Sequence, residues 1–314
     1  MENKLISIVT PCYNEEKNIT KVYEQVKVIF AEQLKDYVYE HIFIDNASTD
    51  QTVELLKDIA KKDKNVKIIV NSRNFGHTRS PVHAMMQARG DVVITLAADL
   101  QDPPEMIVDF VRGYEEGYNI VIAIKVSSQE NGLMYKVRGL YYRLLNRISD
   151  TEIYENYMGF GLYDRKTMQA VQRMPDANPF LRGMIAEIGY KVKKIPYHQP
   201  VRTGGATSQN FYSLYDAGIL GLINNSKVLL RLSIFIGFIV GFLSIIVGVF
   251  YFVRKLMYWE SFSLGLAPML IGGSLMFSVA LFFIGILGEY IGQIYTQTLN
   301  RPLVFEKERI NFEE

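Results

Sequence analysis

Two long apolar runs near the C-terminus constrain this chain more than any other feature. Residues 228–253 are interrupted only by Arg231, Ser233 and Ser244, and residues 264–291 carry a single carboxylate, Glu289. Each run exceeds the ~20 residues that take a helix across a bilayer. Helices of a soluble core rarely extend so far without a polar face. The expectation is two transmembrane helices, about 228–253 and 264–291, joined by the short link 254–263. Such a hairpin leaves everything else on one side of the membrane.

Basic residues indicate which side. Lys227 and Arg231 flank the first run, and Arg301, Lys307 and Arg309 follow the second, which places these ends in the cytoplasm. Arg254 and Lys255 in the link oppose this without reversing it. The single cysteine, Cys12, excludes an internal disulfide and agrees with a reducing compartment. Met1 to Lys4 lead straight into a short apolar segment, so no cleavable signal peptide is expected. Gly237 with Gly241, and Gly288 with Gly292, have the small-xxx-small spacing that lets membrane helices approach, which would permit a homo-oligomer.

Ahead of these runs, strand and helix patterns alternate. Strands are expected at 5–10, 41–45, 66–70, 91–96 and 119–124. Asn14 is expected to cap a helix carrying Ile19, Val22, Val26, Ile29 and Phe30, and Thr49 or Asp50 a second with Val53, Leu56 and Ile59. A further helix ends at 84–89. This order predicts an α/β domain with a parallel sheet and helices on both faces. The formal net charge of +1 gives no sign of a nucleic-acid partner.

The first strand-to-helix turn reads Pro11, Cys12, Tyr13, Asn14, Glu15, Glu16. It lacks the glycines that admit a dinucleotide pyrophosphate, so the oxidoreductase reading falls away. An aromatic ring and carboxylates remain, groups that stack on a base and accept hydrogen bonds from it or from a ribose. The second strand ends in another acidic turn, Asp45 to Asp50, and the fourth in Leu96, Ala97, Ala98, Asp99, Leu100, Gln101, Asp102, Pro103, Pro104, Glu105. Ligands of open α/β sheets bind at such strand ends. Oxygens of this kind hold a divalent metal, and a loop of this kind also serves as a helix cap.

Several segments, in this order, resemble the membrane-anchored polyprenyl-phosphate glycosyltransferases, GT-A enzymes of family 2 of the dolichol-phosphate mannose synthase and GtrB types. They are VTPCYNEEKNI (9–19), IDNASTDQT (44–52), NSRNFG (71–76), ADLQDPPE (98–105), LYDRK (162–166), the loop 202–207, and GEYIG (288–292) before Arg301, Pro302 and Leu303. The resemblance spans nearly the whole chain. It implies a Rossmann-like GT-A domain with a mostly parallel sheet over 1–210, a juxtamembrane amphipathic helix at 211–227, the two transmembrane helices, and a cytoplasmic tail at 292–314. It also implies inverting transfer of a sugar from a nucleotide-diphosphate donor, a UDP-sugar, to polyprenyl (undecaprenyl) phosphate in a bacterial-type inner membrane.

The resemblance further assigns residues. Pro11, Tyr13, Glu15 and Asp45 match positions that hold the nucleoside; Asp99 and Gln101 match those that hold the metal, Mg²⁺ or Mn²⁺, and the diphosphate. Arg202 matches a residue that approaches the phosphates from a mobile loop, to which Gly204 and Gly205 would give freedom. Asp99 and Arg202 are thus the catalytic candidates, and Lys125 and Arg138 join the donor-binding set. Arg73, Arg79 and Arg143 are further basic groups that reach a phosphate or simply solvent.

Four positions depart from the family pattern. Ala97 replaces the first Asp of the metal turn, Asn46 the second Asp after strand two, Ser208 a Lys, and Gly159 an Asp proposed as base. A lipid phosphate has a second pKa of ~6 and is mostly dianionic at neutral pH, so it needs positioning more than a base. The loss at Gly159 therefore argues for a phosphate acceptor. Asp102 is either a second metal carboxylate or a helix cap, with the spacing favouring the cap. Glu155 and Asp164 flank the altered segment and are substitute candidates for its carboxylate, whereas His77 and His83 read as structural or polar contacts. Residues 211–225 carry Phe211, Leu214, Tyr215, Ile219 and Leu222 near one helical face, as an interfacial helix would. Competing readings are a noncatalytic membrane scaffold, a different lipid acceptor, and a processive synthase, the last disfavoured by the absence of a QxxRW-type motif.

Overall fold

The structure, a computed structural model, describes residues 4–127, 154–200, 228–258 and 266–312. The chain alternates through β1 (Leu5–Cys12), α1 (Ile19–Glu32), β2 (Val38–Asp45), α2 (Thr52–Lys62), β3 (Val66–Asn71), α3 (Gly76–Gln87), β4 (Val92–Thr95), α4 (Met106–Glu115) and β5 (Ile120–Ser127). It continues through β6 (Tyr157–Asp164), α5 (Arg165–Gln172), α6 (Leu181–Ile188), β7 (Val192–His198), α7 (Val228–Met257), α8 (Leu266–Thr298) and β8 (Glu306–Ile310). All five strands read from the sequence are present, most of them slightly longer than expected.

One eight-stranded sheet runs in the order β7-β5-β6-β4-β1-β2-β3-β8. Its central strands β4, β1, β2 and β3 are parallel, as βαβ crossovers require, and β5 pairs parallel with β7. Two strands depart from the parallel expectation. β6 runs antiparallel to both β4 and β5, and β8 antiparallel to β3. Because β6 is reversed, it begins at the edge where β1, β2, β4 and β5 end.

Side chains alternate between two cores. Ile6, Ile8, Val92 and Ile94 meet Val22, Val26 and Phe30 of α1 and Ile107, Phe110 and Val111 of α4. Val9, Ile42, Ile44 and Val93 meet Ala84 and Met85 of α3 and Met168, Val171 and Ile185 of α5 and α6. The result is a sheet between two helical layers, which fixes register because a one-residue slip would turn each buried face outward.

Two capping expectations change. Asn14 does not cap α1, which starts after Asn18; it adopts φ +56° and its Oδ1 accepts from the Thr49 amide at 2.8 Å. The N-cap of α2 is Gln51, with no side-chain cap bond, and neither Thr49 nor Asp50, although Asp50 Oδ1 accepts from the Thr52 amide at 3.0 Å.

The apolar runs form α7 and α8, of 30 and 33 residues, or ~45 and ~50 Å at 1.5 Å per residue. Both are longer than expected, α8 continuing past residue 291 to Thr298, and both contain windows long and apolar enough to cross a membrane. A Cβ on Gly237, Gly241, Gly288 or Gly292 would meet open space, so these glycines do not form the contact between α7 and α8. Within the expected tail 292–314, the described residues 292–312 are not a separate segment. After α8 ends, β8 joins the sheet beside β3, Lys57 Nζ lies 2.6 Å from Glu308 Oε2, and Asn311 Nδ2 donates to the Ala60 and Val66 carbonyls. The expected interfacial helix at 211–225 lies outside the described residues.

Candidate active site

The sheet brings the sequence-predicted turns to one edge. Cys12 pairs with Asp45, and Thr95 with Gly161, so the β1, β2 and β4 turns lie beside the first residues of β6. Backbone conformation is unusual there: Asn14, Ala47 and Leu100 have φ of 56°, 63° and 59°. For Ala47 and Leu100 this left-handed geometry costs about 1–2 kcal/mol each and needs tight loops to hold it.

In the first two turns, Tyr13 is 40% exposed and Pro11 lines a cavity, as a nucleoside platform requires. Glu15 is buried, with Asn18 Nδ2 donating to its Oε2 at 2.8 Å. Asp45 is fully buried and accepts from the amide and hydroxyl of Ser48. Burial pushes its carboxyl above the usual range, and the Ser48 bonds partly offset this. Asn46, in place of a family Asp, is a hub. Its Oδ1 accepts from the Phe75 amide and Asn71 Nδ2, while its Nδ2 donates to Asn74 Oδ1 and the Gly76 carbonyl.

The acidic turn after β4 folds on itself. Asp99 Oδ1 accepts from the Gln101 amide at 3.2 Å, and Asp102 Oδ2 from the Ala97 amide at 3.2 Å. Asp102 is therefore not the cap of α4, whose N-cap is Glu105. Its carboxyl turns inward, where the Tyr197 hydroxyl donates to Oδ1 at 3.5 Å. Burial, reinforced by the Asp99 charge, raises its pKa to about 7; the Lys125 charge acts in the opposite direction, which places Lys125 within electrostatic reach.

A divalent cation suits this donor set in part. Asp99, the carboxamide of Gln101 and Asp102 supply hard oxygens, and a cation would relieve the mutual repulsion of the two carboxylates. Among the described residues no group of three His, Cys, Asp or Glu side chains forms a complete cage. Remaining positions would fall to phosphate oxygens and water, as is common for Mg²⁺.

A cavity of about 570 Å³ adjoins this turn. It is lined by Pro11, Ala97 and Asp102, by His77 of α3, by Gly159 of β6, by Arg182 of α6, and by Glu289 and Gln293 of α8. Gly159 has φ +102°, a conformation L side chains rarely adopt, so an Asp there would be strained although its Cβ would meet no atom. His77, read as a structural residue or a polar contact, lies on the cavity wall, and burial together with the Arg182 charge lowers its pKa. Arg182 has no motif to announce it, because its position depends on how α6 packs.

The remaining candidates separate clearly. Asp164 is removed as a substitute base: it pairs with Val92 at the far end of β4 and caps α5 through the Thr167 amide. Glu155 is exposed and outside the cavity lining. His83 is structural, its Nε2 2.6 Å from Glu306. Arg79 donates to the Pro302 carbonyl, and the Arg73 guanidinium lies over the Phe75 ring. Arg138, Arg143 and Arg202, with Gly204, Gly205 and Ser208, lie outside the described residues.

Comparison with known proteins agrees with this arrangement. The sequence profile of Glycosyl transferase family 2 matches residues 7–171. The chain is 32% identical to the Bacillus subtilis protein named uncharacterized glycosyltransferase YkcC, over 95% of this chain and 91% of that one. It is 31% identical to the bactoprenol glucosyl transferase of Shigella phage SfX, over 97% of this chain and 99% of the relative. Among solved structures, glucosyl-3-phosphoglycerate synthase from Mycobacterium tuberculosis, in complex with Mn²⁺, UDP and glucosyl-3-phosphoglycerate, superposes with a TM-score of 0.50 at 17% identity. That match covers 70% of this chain and 78% of the other, and it speaks to the fold alone. The GT-A architecture, the acidic strand ends and a family match over more than half the chain converge: this protein is a glycosyltransferase belonging to glycosyl transferase family 2.

Proposed function

We propose that the enzyme transfers a sugar from a UDP-sugar to polyprenyl phosphate, with inversion, at the cytoplasmic face of a membrane spanned by α7 and α8. The observation that carries this is one cavity wall shared by two parts of the chain. Asp102 of the acidic turn and Glu289 and Gln293 of a mostly apolar helix line the same space. A donor held at the strand ends and an acceptor arriving along α8 would meet there. The bactoprenol glucosyl transferases among the relatives support a lipid-phosphate acceptor, and large exposed side chains on the helices, such as Phe238 and Met269, suit an apolar surrounding.

The chemistry needs few groups. An acceptor phosphate oxygen attacks the anomeric carbon from the face opposite the leaving group. The bond from that carbon to the nucleoside diphosphate breaks, and the diphosphate leaves with the electron pair. No proton is transferred when the acceptor is a dianion, which fits a glycine at position 159. Tyr13 and Pro11 would flank the base; Asp99 and Gln101, joined by Asp102, would hold a metal. Bound there, Mg²⁺ or Mn²⁺ would neutralise charge developing on the leaving diphosphate. Lys125 adds positive charge beside Asp102, and Arg138 and Arg202 complete the proposed donor set.

The test is transfer of radiolabelled sugar from a panel of nucleotide sugars into undecaprenyl phosphate, with Mg²⁺, Mn²⁺ or chelator. Labelled lipid from one UDP-sugar is expected, and no lipid product from any donor overturns the reading. Asp99→Asn should lower turnover on the order of 100-fold, the scale of losing one charge-stabilising group; undiminished turnover removes the metal-site assignment.

A further inference from the structure

We infer that Arg182 and His77 form the subsite that grips the acceptor's phosphate, an inference that rests on the proposed transfer to a lipid phosphate. Charge on the cavity wall is the starting point. Its described lining carries two carboxylates, Asp102 and Glu289, and a single Lys or Arg, which is Arg182. A dianionic phosphate entering past the Glu289 carboxylate finds its one guanidinium partner in that arginine. Arginine suits the task, since its planar fork matches two phosphate oxygens.

The fold holds Arg182 in place. Nη1 donates to the Tyr157 carbonyl at 3.3 Å, and the guanidinium lies 5.1 Å from the Phe180 ring centroid. One anchor belongs to β6, next to the Met158–Gly159 stretch of the wall, and the other to the turn entering α6. His77, at the start of α3, lines the same cavity and feels the Arg182 charge. A neutral imidazole there donates one N–H to a phosphate oxygen without adding charge. The donor diphosphate is accounted for at Asp99 and Gln101, neither of which lines this cavity, while Asp102 of the same turn, which does, marks where the two subsites meet. The two phosphate-bearing substrates thus have two addresses, with the sugar between them.

The α8 side of the cavity explains the direction of approach. Glu289 and Gln293 are the polar residues α8 turns to this wall, whereas Phe282, Leu287 and Ile291 of the same helix are exposed apolar groups. A prenyl chain following that apolar surface would deliver its phosphate at the polar patch. Arg182 lies on the same cavity wall.

Full-length enzyme in lipid nanodiscs, with polyprenyl phosphate and the labelled donor, tests this. Arg182→Gln should raise the acceptor KM about tenfold or more, the usual effect of losing a hydrogen bond to a charged group. Donor KM should stay unchanged, and Arg182→Lys should recover part of the loss. His77→Ala should raise acceptor KM and His77→Gln restore it. Inorganic phosphate should compete with the lipid more weakly against Arg182→Gln than against wild type; equal competition would mean that free phosphate binds elsewhere and overturns the assignment. A rise in donor KM alone, or unaltered acceptor KM, also overturns it. If Arg182→Gln fails to fold, His77→Ala decides, since unchanged acceptor KM there removes the subsite. Wild-type enzyme that makes no lipid-linked sugar fails the proposed function itself, whereas active wild type with insensitive variants fails only the subsite.

Discussion

Asn46 shows why single residues at this site cannot be read from a family pattern alone. Its amide donates to two acceptors, Asn74 Oδ1 and the Gly76 carbonyl, and its oxygen accepts two more bonds. An Asp, the residue the family resemblance implies here, supplies no donor and would face both acceptors with negative charge. Asn46→Asp should therefore destabilise the fold by about 2–4 kcal/mol, visible as a lower urea midpoint; an unchanged midpoint would show that the hub is dispensable. The departure at position 46 thus reads as accommodation within the 71–76 loop and not as decay of the site. Asp102 teaches the converse. Its spacing suited a cap, but its carboxyl turned back to the Ala97 amide, a choice made by the buried space beside Tyr197 and invisible in spacing.

At the scale of elements, the β1–β2 pair carries a buried histidine. His41 on β2 is fully buried, stacks on Phe43 at 3.9 Å and lies 2.9 Å from the Thr10 hydroxyl of β1, while its Nδ1 has no partner among the described residues. Burial lowers its pKa to about 3 from the ordinary 6.5. The fold holds the ring neutral, whereas the unfolded chain protonates below pH 6.5. Stability from this group is full above pH 6.5 and drains as pH falls from 6.5 towards 3, by up to about 1.4 kcal/mol per pH unit. Urea midpoints at pH 7.5, 6 and 5 should show that slope, and His41→Leu should flatten it; parallel slopes would remove His41 as the cause. Strands and helices of this first half were legible because periods of two and 3.6 residues are local properties. The reversed β6 was not, since direction depends on which edge of the sheet remains to be filled.

At the scale of the whole molecule, the segment after α8 returns to the sheet. β8 pairs with β3 at the sheet edge, Lys57 meets Glu308, and His83 meets Glu306, so α7 and α8 are tied to the catalytic domain beyond the far end of α8 as well as before α7. The exposed Lys57–Glu308 pair contributes little, so the ladder, the half-buried His83–Glu306 contact and the Asn311 bonds are the main stabilisers, and without them β3 becomes a bare edge prone to aggregation. Deleting residues 301–314 should lower the thermal midpoint by several degrees and weaken sugar transfer, because Glu289 and Gln293 would lose their fixed distance from the cavity; a deletion variant with unaltered midpoint and transfer would refute this closure. The amino-acid sequence by itself determined the two long apolar helices, the alternating elements and the acidic strand ends, because hydropathy, periodicity and turn chemistry act over a few residues. Only the tertiary structure decided that Arg182, His77 and Glu289, separated by up to about two hundred residues, share one wall with Asp102, and that a supposed tail is an edge strand, because packing of distant segments against one sheet has no local signature.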